Sequence, residues 1–251
     1  MIVTAENKRE VISQLQRKML HWQGYQATAR HTVRMSLGPV ERAFPNGVFP
    51  AGSIHEFIAA APEQAAASSG FIGGLLTRLM RQEGVCLWIS ASRTLFPPAI
   101  GAFGVTPDRI VFIDMKRERD ILWATEEALK CSGLAAVVAE LRELDFAQSR
   151  RLQLAVEQSR VTGFVLRSQP LRIGNTACAA RWQVSPAPSA PEAGMPGVGL
   201  PRWRVELLKV RNGSPGAWTL EWAAGRFAPV ADPHKQTVAL PERLVPEQRT
   251  G

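Results

Sequence analysis

No lysine or arginine occurs between Phe57 and Arg78 in this chain. The run Phe49-Pro50-Ala51-Gly52-Ser53-Ile54-His55-Glu56-Phe57 reads as a turn feeding a buried strand. Ala59 to Leu76 therefore falls where a phosphate-cradling loop and its helix would follow. Such a loop needs glycines that let backbone N–H groups wrap phosphate, a lysine that reaches the β/γ-phosphates, and a Ser/Thr for Mg²⁺. No register supplies the cation, so binding is to be sought before catalysis.

Other absences narrow the class further. Cys86, Cys131 and Cys178 are the only cysteines, an odd number inside apolar segments and without C-x-x-C spacing. They are expected as reduced structural thiols, with neither a disulfide frame nor a zinc site. No apolar run approaches the ~20 residues that span a bilayer, and Met1 to Glu10 lacks a signal-peptide pattern. The expectation is a cytoplasmic chain with no membrane contact. His21, His31, His55 and His234 show no spacing suited to a metal or to a nucleophile–base pair, so neither a metal nor another cofactor is expected. His55 reads as a satisfied strand residue. There is no block of five like charges. The densest cluster, Lys116-Arg117-Glu118-Arg119-Asp120, alternates in sign and is expected to open a solvated helix.

What is present fits one large core with two loose ends. The chain has 251 residues, 45% of them apolar, and a formal net charge of +8, which favours acidic partners, either nucleic acid or an acidic protein face. From Lys8 to Trp22, apolar Val11, Ile12, Leu15, Met19, Leu20 and Trp22 recur at helical spacing among basic residues. Residues 1–32 thus form an amphipathic helix and linker, the helix ended by Gly24 and either docked on the core or held for a partner. Beyond it, strands at Ser53–Phe57, Val85–Ser90, Ile110–Ile113, Ala135–Ala139 and Thr162–Arg167 alternate with helical stripes. These stripes run through Phe71 to Met80, Ile121 to Leu129, and Leu152 to Val156, the pattern of a parallel sheet covered by helices. Gly84 and Gly133 are expected as helix C-caps, and Gly163 marks another element end.

After Thr176 the pattern changes to antiparallel strands at Ala180–Val184, Trp203–Val210 and Ala217–Trp222. Ser185 to Pro201 is a Pro/Ala/Gly-rich flexible loop, and Asn212-Gly213 a tight reversal. The core is assigned to residues 33–225, and residues 226–251 are expected as a disordered tail. Trp182, Trp203, Trp218 and Trp222 concentrate in the antiparallel region, where alternating aromatics fill a core. Pro62-Glu63 begins a helix through Gln64-Ala65-Ala66-Ala67, in place of the phosphate loop. Gly70-Phe71 sets a large ring where a lysine stem would run, and that ring is expected to face the core.

The order of these pieces resembles the RecA core and, within that superfamily, the ImuA family, over about Ser36 to Trp222. Ser36-Leu37-Gly38 and Phe44-Pro45-Asn46-Gly47-Val48-Phe49-Pro50-Ala51-Gly52 resemble the lead-in to the first core strand. Leu95-Phe96-Pro97-Pro98 and Phe103-Gly104-Val105-Thr106-Pro107-Asp108-Arg109-Ile110 resemble the connection to a later strand. Lys209-Val210-Arg211-Asn212-Gly213 resembles a basic strand end that approaches a neighbour's nucleotide in RecA filaments. The departures carry the argument. Ser90-Ala91-Ser92-Arg93 stands where RecA has the Glu that activates water, and a hydroxyl cannot replace that carboxylate. Glu140 stands where an acidic residue helps hold Mg²⁺, with a structural role at the sheet edge as the other reading. Gln169 lies near the nucleotide-sensing Gln of RecA, or serves as ordinary turn structure.

The resemblance implies a RecA-like α/β core that acts as a non-catalytic accessory protein in damage-induced, error-prone translesion DNA synthesis. Its implied partners are an ImuB-like inactive Y-family polymerase homologue, an error-prone replicative-type polymerase and RecA itself. The degenerate nucleotide site comprises Pro62, Glu63, Ser68, Ser69, Gly70, Phe71, Ser92 and Glu140. Weak DNA or partner contact falls to Arg172, Asn175, Lys209 and Arg211, and a partner helix to Leu15, Met19 and Trp22. The alternatives are a SulA-type cell-division inhibitor, and an atypical ATPase or DNA-binding RecA paralogue for which Lys209 and Arg211 are the candidate cations.

Overall fold

The computed structural model describes residues 35–81, 84–91, 95–190 and 198–230. The N-terminal helix with Leu15, Met19 and Trp22, the Ser92 position, and residues 231–251 lie outside the described residues. Short runs of β-branched and aromatic residues form the strands, and the longer 3.6-periodic stretches form the helices. In order these are β1 (Ile54–Ala59), α1 (Pro62–Leu79), β2 (Val85–Ser90), β3 (Ile110–Asp114), α2 (Glu118–Leu129), β4 (Leu134–Leu141), α3 (Phe146–Ser159) and β5 (Thr162–Ser168). The chain continues through β6 (Ala180–Pro186), β7 (Arg202–Val210), β8 (Gly216–Ala223) and β9 (Arg226–Val230).

The nine strands among the described residues join one sheet in the order β3-β2-β4-β5-β1-β6-β7-β8-β9. Pairing is parallel from β3 through β6 and antiparallel from β6 through β9. This is the α/β class expected: a mostly parallel sheet flanked by helices, with antiparallel strands added at its C-terminal side.

Period-two alternation splits the sheet into two apolar faces. Phe57, Trp88, Val138, Phe164 and Trp182 pack with Phe71, Ile72, Leu75 and Leu76 of α1, and with Trp203, Trp222 and Phe227 from the antiparallel strands. On the other face Ile54, Ile89, Val137 and Val165 meet Ile121 and Leu129 of α2 and Leu152 and Val156 of α3. Each such fully buried side chain contributes about 1.5–3 kcal/mol. The α3 start is fixed by a capping box: Asp145 Oδ1 accepts from the Gln148 N–H at 2.7 Å, while Gln148 Oε1 accepts from the Asp145 N–H at 3.0 Å.

Several expectations need correction. Arg226–Val230 is a strand paired with β8, because Phe227 inserts beside Trp222 and Phe71. Ser185 and Pro186 belong to β6, paired with Arg204 and Trp203 of β7. Gly84 does not cap a helix: α1 ends at Leu79, and a Cβ on Gly84 would stand 2.5 Å from that of Ala135. Lys130, not Gly133, is the C-cap of α2. Gly163 lies inside β5, where a Cβ would meet Ile54 Cδ1 at 2.5 Å. Cys131 is exposed after α2, whereas Cys86 and Cys178 are buried and burial pushes their thiols well up.

Candidate functional site: a cleft at the strand ends

The carboxyl ends of β1, β4 and β5 open on a cleft of about 670 Å³, the position where ligands bind in open α/β sheets. Only Ala60 and Ala61 connect β1 to α1, and the helix begins at Pro62, which suits a first helical position. Two residues cannot wrap a phosphate. The amide of Ala60 is already taken, donating at 2.8 Å to Gln64 Oε1, and Gln64 Nε2 donates in turn to Ser185 Oγ at 3.2 Å. The chain is helix from Pro62 onward, as the Gln64-Ala65-Ala66-Ala67 composition led one to expect.

The site residues named from the sequence divide into those that line the cleft and those that do not. Pro62, Ser69, Gly70 and Glu140 line it, together with Gln169, Phe96, Phe103 and Trp203. Glu63 is exposed, and Ser68 is turned fully into the protein. Phe71 is in the core, its ring 5.8 Å from those of Trp182 and Trp203. Ser69 Oγ donates to the Ala65 carbonyl at 2.9 Å. The Phe103 ring fills the notch left by Gly70 and Gly73, 3.1 Å from where either Cβ would stand.

Among the described lining residues Glu140 carries the only formal charge, and it is negative. Its Oε1 accepts from the indole N–H of Trp88 at 2.7 Å. The carboxylate is thus anchored to a buried aromatic of the neighbouring strand. No group of three or more His, Cys, Asp or Glu capable of holding a metal occurs among the described residues. Gln169 adopts φ 49° and donates its backbone N–H to the Ala59 carbonyl at 2.7 Å, so its turn locks β5 to the end of β1.

The four residues assigned to DNA or partner contact do not act as a set. Lys209 Nζ donates to the Thr176 carbonyl at 3.2 Å, and Arg211 Nη2 to that of Ala177. Both cations hold the segment between β5 and β6 against β7. Arg172 and Asn175 are exposed on that same segment.

ImuA of Caulobacter vibrioides, in strains NA1000 / CB15N and ATCC 19089 / CIP 103742 / CB 15, is 35% identical to this chain over 194 residues, covering 72% of this chain and 80% of the relative. The chain belongs to the ImuA family. No protein-family model matches the sequence.

Sequence reasoning missed a buried charge network among the described residues of this ImuA-family chain. Glu56 on β1 is fully buried and accepts from Arg167 Nη1 at 2.7 Å, Arg181 Nε at 2.8 Å and the Thr176 hydroxyl at 2.8 Å. Arg167 also donates to the carbonyls of Arg142 and Arg172 and to Glu143, whose other oxygen accepts from the Leu171 N–H. The network pins the segment Gln169–Thr176 that borders the cleft. The signal was available: a glutamate and an arginine each interrupt an otherwise apolar strand.

His55 is likewise buried in β1. It donates from Nε2 to the Pro50 carbonyl at 3.0 Å and accepts at Nδ1 from Trp182 Nε1 at 3.2 Å, with Phe49 stacked on its ring. Burial lowers its pKa from 6.5 to about 4, against the opposing pull of the Pro50 carbonyl. No helix among the described residues is long and apolar enough to cross a membrane.

Proposed function

We propose that this ImuA-family chain is a cytoplasmic, non-catalytic accessory protein of damage-induced mutagenesis, with a RecA-like core kept as a docking platform in error-prone translesion synthesis. Family membership supports the pathway. The non-catalytic role is carried by one observation: the cleft at the strand ends has a two-residue connection in place of a phosphate loop, no cation among its described lining residues, and a single carboxylate bound to Trp88. A triphosphate there would meet apolar walls and a like charge, with no cation among the described lining residues to offset its desolvation. The atypical ATPase reading needs Lys209 or Arg211 free to reach a nucleotide, whereas both donate to carbonyls of their own chain.

The partners in this reading are an ImuB-like inactive Y-family polymerase homologue, an error-prone replicative-type polymerase and RecA. Calorimetric titration of the full chain with ATP and magnesium, combined with a phosphate-release assay, tests the catalytic half. The expected result is neither micromolar binding nor turnover. Magnesium-dependent micromolar affinity would overturn it. Co-purification with the polymerase homologue tests the other half, and failure to associate would remove the docking role.

A further inference from the structure

We infer that Arg78, Arg81 and Arg226 form a binding site for a phosphate group at the end of α1 remote from the cleft. Arg78 lies in the last turn of the helix, Arg81 just beyond its C-cap, and Arg226 opens β9. At ~1.5 Å rise per residue the cleft end of α1 is roughly 24 Å away.

Arg78 is more than nine-tenths buried, and its Nε has no hydrogen-bond partner. Its Nη2 donates to the Gly225 carbonyl at 3.3 Å. No described carboxylate pairs with any of the three arginines. Burial first, and then the positive charges of Arg81 and Arg226, hold the Arg78 guanidinium below its usual pKa. A buried cation among like charges is costly unless an anion completes the set. The turn that carries the Gly225 carbonyl is open on its outer side, since nothing lies within 4 Å of where a Cβ on Gly225 would stand, and Arg81 and Arg226 are both exposed beside it.

The simplest competing account is that cations gather at a helix C-terminus to meet its negative end, an effect of about 0.3–1 kcal/mol. Arg109 already fills that role, donating through Nη2 to the carbonyls of Met80 and Gly84. A carboxylate-bearing protein face is disfavoured as well. Residues 78–81 and 224–226 include no exposed large apolar side chain, and a protein interface usually has an apolar centre. Guanidinium forks match phosphate oxygens, and surfaces that bind phosphate are richer in arginine and poorer in apolar area.

The test uses the full chain and the double variant Arg81→Gln/Arg226→Gln, both at exposed positions, with two probes: a fluorescein-labelled single-stranded oligonucleotide followed by anisotropy, and inorganic pyrophosphate followed by calorimetry. The double variant is expected to weaken binding about tenfold. With two fewer cations facing the backbone, the logarithmic salt slope for the oligonucleotide should flatten by about 1.4. If the oligonucleotide responds and pyrophosphate competes poorly, the source is a nucleic-acid backbone; if only pyrophosphate responds, it is a free phosphate, and either result supports the site. Arg78→Lys keeps the charge but loses the fork, and should weaken binding while leaving circular dichroism unchanged. If that variant misfolds, the surface pair still decides. Binding of both probes unaffected by the double variant would overturn the inference, as would poly-glutamate competing as well as pyrophosphate. The site stands or falls independently of the reading of the cleft, because the substituted arginines do not line it and only the part of the binding that they remove is read.

Discussion

The indole N–H of Trp88 on β2 donates at 2.7 Å to Oε1 of Glu140 on β4, across the paired strands that lead into the cleft. This bond gives Glu140 a structural task. Glu140→Gln keeps an acceptor oxygen and should leave stability within about 1 kcal/mol of the parent. Glu140→Ala leaves the indole N–H of a Trp88 that is 1% exposed without this acceptor, and should cost about 1–3 kcal/mol. Urea unfolding followed by tryptophan fluorescence measures both. A melting temperature that rises with added magnesium in the parent but not in Glu140→Gln would assign the carboxylate to a metal instead.

Glu56 and Arg167 are both fully buried, so removing one charge strands the other. Glu56→Ala should destabilise by about 3–5 kcal/mol, the range for breaking a buried pair. The same change loosens the grip of Arg167 and Arg181 on the carbonyls of Arg172 and Gly174. Faster amide exchange confined first to Gln169–Thr176 is therefore expected in milder variants such as Glu56→Gln. Uniform acceleration over the whole sheet would show that the network does not act on that segment.

His55 makes stability depend on pH. Its folded pKa of about 4 lies below the ordinary 6.5, so as pH falls the unfolded chain takes up this proton first. The contribution is complete above pH 6.5 and lost progressively towards pH 4. The separation amounts to on the order of 3 kcal/mol at most. His55→Gln can still donate and accept but does not titrate here, so its unfolding free energy should fall less steeply over that window. Parallel curves for parent and variant would rule His55 out as the group responsible.

The strands and helices that were legible carry a clear apolar period: Val85–Ser90 is the expected strand residue for residue, and the other expected strands differ only at their ends. The helix that follows β1 directly could be read from Pro62 and the alanines after it. Two things were hidden. The β9 strand carries one aromatic, Phe227, between charged and proline residues, so local composition reads as tail. Its pairing with β8 and the notch at Gly74 that receives Phe227 are tertiary features. The Glu56 network needs three strands brought side by side, and nothing in the local sequence says that Arg167 and Arg181 flank the same carboxylate. The cleft lining was half legible for the same reason. Gly70 was read only as part of the degenerate site, and Gly73 drew no reading, whereas both admit the ring of Phe103.

Gly74 tests how β9 is held. A Cβ there would stand 2.5 Å from Phe227 Cζ and 3.0 Å from Trp222 Cζ3. Neither ring can retreat freely: the Phe227 centroid is 4.8 Å from that of Phe71 and 4.9 Å from that of Trp222. In an exposed helix Gly→Ala would gain nearly 1 kcal/mol from propensity. Here overpacking should outweigh it, for a net loss of about 1–2 kcal/mol. Gly101→Ala is the control, since nothing lies within 4 Å of its Cβ position, and it should be neutral. Phe227→Leu frees space at the ring edge, so Gly74→Ala should cost less in that background, and a double-mutant cycle measures the coupling. Additive effects would mean that α1 and β9 do not bear on each other through this contact, and that β9 is held by its pairing with β8 alone.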